Sequence, residues 1–156
     1  MNRIPALFLQ AVIVLGGIGI LALILWEPHI EGRNAHASLS QIYFDDPFLA
    51  CAYIAFIPVF VALYQAFTLL GQVRKNKIFS SDSVKAVRTI KLSAIVFIGF
   101  LLAAEVYFFV VVRGQDDIAG GVAICLFLIL VSAIVAAAAS VFETTLQNTL
   151  NITPDA

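Results

Sequence analysis

The sequence predicts an all-α integral membrane protein, a four-helix bundle with its N- and C-termini in the cytoplasm. Three observations lead there. Of 156 residues, 62% are hydrophobic and 12% charged. The apolar residues gather in four runs, each longer than 20 residues. The basic residues gather in one connecting segment. A soluble domain of this length cannot hide so much apolar surface, and the exposed remainder would drive aggregation. Mean hydropathy is +1.01, and long apolar stretches of this kind read as membrane spans. A net charge of -1 suggests no nucleic-acid partner.

The runs cover residues 4–26, 47–70, 89–112 and 118–142, a single transmembrane domain. A helix needs about 20 residues to cross about 30 Å of hydrocarbon. Without water to satisfy backbone groups, the helix is the form that works. Arg3 and the triplet Ala35-His36-Ala37 give the first run the look of a cleaved signal. Its apolar stretch, however, exceeds the about 7–15 residues of such signals, and the triplet lies well past Trp26. The run is therefore read as a retained span.

Punctuation supports these boundaries. Glu27-Pro28 ends the first run, and Asp45 and Asp46 precede Pro47, an acidic cap followed by a first-turn proline. Gly71 follows the second run, with Pro58 near its middle as a candidate kink. Ser80, Ser81 and Asp82 precede Val84, so the third helix is expected to begin in water. Residues 113–117, with Arg113 and the caps Asp116 and Asp117, read as a tight turn into the fourth helix. Trp26, Tyr43 and Phe44 suit the interface. The tail after Phe142 is expected to extend the fourth helix and fray at Pro154.

Charge sets the orientation. Arg74, Lys75, Lys77, Lys85, Arg88 and Lys91 lie between or at the edge of spans two and three, against the single acid Asp82. The first connection holds Arg33 against Glu27, Glu31, Asp45 and Asp46, and the last holds Arg113 as its one basic residue. The positive-inside bias places the middle connection and both termini in the cytoplasm.

Glu105 is the one acidic or basic residue deep within a predicted span, seven residues before the end of the third run, or about 10 Å below the interface. A carboxylate is costly there, which marks it as a candidate site. Counting from the same end of the other runs gives Gly19, Tyr53 and Cys125 at matching depth. These four are the ligand-binding or proton-coupling candidates, Tyr53 as a hydrogen-bond partner and Gly16, Gly17 and Gly19 as space. Two other readings stay open for Glu105: interhelical packing glue, and snorkelling toward Arg113. Gln10, Gln65 and Tyr64 share a depth near the other side, suited to interhelical hydrogen bonding or a polar vestibule.

Small residues recur at four-residue spacing at Ser132, Ala136 and Ser140, and at Gly99 and Ala103. Such spacing lets backbones approach, within the bundle or between protomers. Cys51 and Cys125 fall in apolar runs and read as small buried hydrophobes. Arg74, Lys75, Lys77, Lys85, Arg88 and Lys91 serve as topology determinants and as candidates for docking lipid or a cytoplasmic protein, with Lys85, Arg88 and Lys91 on one helical face. No Gly-rich phosphate loop, metal-ligand spacing or nucleophile–histidine arrangement is present. His29 and His36 are an isolated pair. No catalytic residue, metal, cofactor or direct nucleic-acid contact is expected. The bilayer is the certain partner, with a homo-oligomer as a further expectation.

The segment GQVRKNKIFSSDSVKAVRTI, residues 71–90, resembles a recurring feature of a family of small bacterial membrane proteins, the domain of unknown function "two-nine-seven-five". Phe79, Ser80, Val84, Lys85, Val87 and Arg88 fit the family's phrase between spans two and three. The tail VFETTLQNTLNIT, residues 141–153, is similar to the family's amphipathic tail, but Asn151-Ile152-Thr153 replaces its usual Leu-Thr-Ile-like triplet and basic residues are missing. The resemblance implies a four-span bundle without an established activity, and a helix-turn-helix transcription regulator as partner. Physically, Phe79 and Val84 suit a hydrophobic staple around a Ser80 cap. The functional expectation is a non-enzymatic regulatory or interaction protein, with a small transporter or channel subunit using Glu105 as the alternative.

Overall fold

The computed structural model describes residues 3–30, 38, 47–112 and 118–152, with backbone alone at 3, 27–30, 47 and 48. Asp45, Asp46, Tyr43, Phe44, Arg33, Glu31, His36, Arg113, Asp116, Asp117 and Pro154 lie outside the described residues, as do the side chains of Glu27 and His29. Four helices follow one another: α1 (Arg3–Ile30), α2 (Pro47–Arg74), α3 (Ser81–Tyr107, continued by a π-helical turn over Phe108–Val112) and α4 (Ala119–Ile152). No strand occurs among the described residues. All four helices are long and apolar enough to cross a membrane. Their outward surfaces are sheathed in exposed Leu, Ile, Val and Phe, the inverse of a soluble fold. The chain is a helical, multi-pass membrane protein.

The helices alternate in direction. Gln10 of α1 meets α2 at Phe67, and Tyr53 of α2 meets α1 at Ile24. Extensive contact is confined to consecutive helices, broadest between α3 and α4 and least between α1 and α2. Two apolar clusters join α2, α3 and α4. One holds Ala55, Phe97, Leu101 and Cys125, and within it the Phe56 and Phe97 rings lie 5.4 Å apart. The other holds Val87, Ala139 and Leu146, with Leu69, Ile78 and Val84 packed on it. The helix α1 has its one extensive contact with α2, and among the described residues it buries Ala6 and Gln10.

The α3–α4 contact explains its own extent. Along α4 the buried or half-buried residues Cys125, Ile129, Ser132, Ala136, Ala139, Glu143 and Leu146 alternate steps of four and three. Ser83, Val87, Ile90, Ala94, Phe97, Leu101, Ala104 and Phe108 do the same along α3. This is the spacing of a left-handed coiled-coil seam. It corrects the expected small-residue stripes: constant steps of four drift off the seam, so Ser140, Gly99 and Ala103 face outward. Cys51 is likewise exposed, and both cysteines are free.

The basic connection between α2 and α3 is capped at both ends. The helix α2 passes through Gly71 and ends at Arg74, a turn later than expected. Asn76 adopts the left-handed conformation at φ 57. The Lys77 N–H donates to Gln72 O at 2.9 Å and the Asn76 N–H to Val73 O at 3.1 Å. These two bonds form a Schellman motif with Asn in the place usually taken by Gly. Ser80 is the N-cap of α3, its Oγ accepting from Ser83 N at 3.3 Å, as expected. Beside it, Ile78 packs against the Val87–Leu146 cluster while Phe79 stays exposed.

Candidate functional site

The end of the bundle carrying this connection, the basic end, holds the described charge other than Glu105. Glu143 lies on the α4 seam between Ala139 and Leu146 and is only 5% exposed. Lys91 Nζ of α3 bonds Glu143 Oε2 directly. Arg88 Nε lies 3.4 Å from Glu143 Oε1, and Gln147 Nε2, one turn along α4, also donates to Oε1 at 3.4 Å. The carboxylate is thus held by two cations and an amide. Lys91 is about 30 Å along α3 from Val112 at about 1.5 Å per residue, which puts the cluster at the edge of a hydrocarbon core about 30 Å thick. An ion pair deeper in would be costlier to desolvate, and one farther out would be screened. Beyond it α4 continues to Ile152. The resulting helix is about 50 Å long, well over a hydrocarbon thickness, so its last turns form a water-facing extension.

Arg88 and Lys91 were docking candidates, and the structure brings both to Glu143. Lys85 instead pairs with Asp82 at 3.8 Å on the surface. Three-residue steps turn about 60° backward around a helix, leaving Lys85 and Lys91 about 120° apart. Arg74, Lys75 and Lys77 are exposed around the capped connection. Sequence reasoning missed Glu143, which looks like part of a solvated tail. The signal was the four-and-three register running from Cys125 through Ala139 into Leu146.

Glu105 is half-buried on α3. Its Oε1 is sealed from the surface and has no hydrogen-bond partner among the described residues. Cys125 lies within electrostatic reach of it, beside Leu101 and Phe97. The expected companions divide. Cys125 is brought near. Tyr53 donates its hydroxyl to Ile24 O of α1 at 3.5 Å. Gly19 is exposed, with open space where a Cβ would stand, and the extensive contact of α1 is with α2. One turn beyond Glu105 the backbone widens into the π turn, where three successive β-branched valines crowd an α-helical turn. There the Phe108 ring fills the space over Gly121, where a Cβ would come within 2.9 Å of it.

Gln10 is buried and donates to Phe67 O at 3.0 Å, the expected interhelical bond. It is made to backbone, while Gln65 faces a cleft between α2 and α3. Among the described residues no group of three or more metal-ligating side chains occurs.

Comparison with known proteins agrees with this architecture. The family model described as "Protein of unknown function (DUF2975)" matches residues 32–156. The chain is 35% identical over 153 residues to the uncharacterized membrane protein YoaS of Bacillus subtilis (strain 168), covering 97% of this chain and 95% of that one. No solved structure matches it.

Proposed function

We propose, for a chain that belongs to the DUF2975 family, a non-enzymatic role as a docking protein of the bacterial cytoplasmic membrane, presenting a basic face to a soluble regulator. The observation that carries this reading is the connection between α2 and α3. Arg74, Lys75 and Lys77 are exposed there, on a turn fixed by the Asn76 and Ser80 caps. A fixed cluster of cations suits the recognition of an acidic surface, because little chain entropy is lost on binding. The Glu143 cluster ties α3 to α4 directly beneath and keeps this face in place. The positive-inside bias of the same cations supports a cytoplasmic connection and cytoplasmic termini. The partner implied by the family resemblance, a helix-turn-helix transcription regulator, is the occupant we assign.

A photocrosslinking residue at Lys77 in native membranes tests this. The expected product is a crosslink to a soluble DNA-binding protein. The crosslink should fall at least tenfold when Arg74 and Lys75 are changed to Glu, with helical content unchanged. A crosslink indifferent to those charges, no crosslink at all, or labelling of Lys77→Cys by an impermeant reagent in intact cells would overturn the reading.

A second reading, a small transporter or channel subunit, draws support from Glu105, whose buried oxygen has no partner among the described residues and marks a place where a proton or ligand would be stabilised.

A further inference from the structure

Two depressions on the surface meet at one residue. The first is a polar cleft of about 330 Å³ between α2 and α3 at the basic end, lined by Gln65, Thr68, Gln72, Lys85 and Thr89. The second is an apolar groove of about 400 Å³ between α1 and α2, lined by Gly17, Ile18, Leu21, Phe60, Leu63 and Phe67. Tyr64 lines both. Its side chain is largely exposed, with an apolar ring and a polar tip suited to the boundary between headgroup and hydrocarbon.

The depths match that boundary. Gln72 lies two residues from the end of α2, and Lys85 four residues into α3. Both stand closer to water than Lys91, which marks the hydrocarbon edge. The apolar groove runs the other way, from Ile13 to Leu21, about 12 Å along α1 toward the bilayer centre. It begins beyond the Gln10–Phe67 bond that pins α1 to α2. Gly17 lines it, and a Cβ there would meet Leu63 Cδ1 in ordinary van der Waals contact at 3.6 Å, so only a larger side chain would fill the groove.

The polar groups suit a phosphate. Thr68 and Thr89 donate to their own helix, at Tyr64 O and Lys85 O. Among the described residues, the donors left for a ligand are the Lys85 ammonium, the Gln65 and Gln72 amides and the Tyr64 hydroxyl. Lys85 is held by Asp82 at 3.8 Å, with both side chains more than 70% exposed, so the pair is weak and a phosphate can compete for the cation. Asp82 then faces the headgroup as an acceptor for hydroxyls. Arg74, Lys75 and Lys77, exposed on the connection between α2 and α3, add attraction for anionic lipid, about 1 kcal/mol per cation near a membrane surface.

We infer that the polar cleft and the apolar groove together form one binding site for an anionic, hydroxyl-bearing glycerophospholipid of the cytoplasmic leaflet, with its phosphate on Lys85 and an acyl chain between α1 and α2. The inference does not depend on the docking reading, whose test uses other residues.

Native mass spectrometry of the full chain in detergent, titrated with phosphatidylglycerol or phosphatidylcholine, tests it. Phosphatidylglycerol is expected to bind at one saturable site, at least tenfold more tightly than phosphatidylcholine. Lys85→Gln should remove the preference. Gly17→Leu, or Leu63→Trp filling the groove from α2, should weaken both lipids. Arg88→Gln, outside the cleft, should keep the preference for phosphatidylglycerol. Equal loss on Arg88→Gln would reveal diffuse charge attraction and overturn the site. So would competition by inorganic phosphate as effective as by intact lipid, or binding indifferent to Lys85 and to both groove-filling variants.

Discussion

Glu143→Leu is expected to destabilise the α3–α4 pair by about 3–5 kcal/mol, because it leaves Lys91 at the membrane edge without its counter-charge. The Lys91 side chain is 24% exposed and has little water to turn to. Arg88, whose side chain is 66% exposed, can solvate itself, so Arg88→Ala should cost no more than about 1 kcal/mol. The double variant Lys91→Met with Glu143→Leu should recover most of the loss, since a well-packed apolar pair often matches a buried ion pair. Reversible unfolding in mixed micelles, followed by circular dichroism, measures all three. Equal stability of Glu143→Leu and the unaltered chain would mean that the ion cluster does not hold the seam.

Leu146→Ala is expected to cost about 2–5 kcal/mol, in the range for a large core residue cut to alanine. Leu146 and Val87 are each 1% exposed, and their contact lies on the water side of the Glu143 cluster, where apolar burial is driven by the aqueous solvent. Ile134→Ala, on the exposed face of α4, should change stability much less, because lipid tails solvate either side chain in both the folded and the separated helix. The same unfolding measurement compares the two. A loss at Ile134 as large as at Leu146 would place both residues in one kind of solvent.

How far the sequence foretells this structure depends on how local each signal is. The spans are legible because each run carries its own cost of exposure to water. The Ser80 cap and the Gln10 bond are legible because a hydroxyl before a helix, or an amide within a span, has few ways to be satisfied. Glu143 is not legible locally. Its neighbours Thr144, Thr145 and Gln147 are exposed, and only the long seam register shows that it faces Lys91. The companions of Glu105 were sought by depth, which assumes that every helix touches every other. The extensive contact of α1 is with α2, and Gly19 has open space around it, whereas Cys125 sits beside Phe97 and Leu101 of α3. The apolar run stops before Gly71, yet α2 continues for one more turn to Arg74 and Asn76 takes the left-handed conformation after it.

Spin labels at Phe127→Cys, Ile134→Cys and Asn148→Cys, in a chain lacking the native cysteines and reconstituted in lipid nanodiscs, test most directly whether the exposed apolar surface lies in a bilayer. The three positions face outward from α4 at successive heights. Labels at 127 and 134 should relax with dissolved oxygen and be shielded from a water-soluble nickel complex, and the label at 148 should show the reverse. Access of the nickel complex to 127 and 134 equal to that at 148 would contradict a membrane-spanning fold.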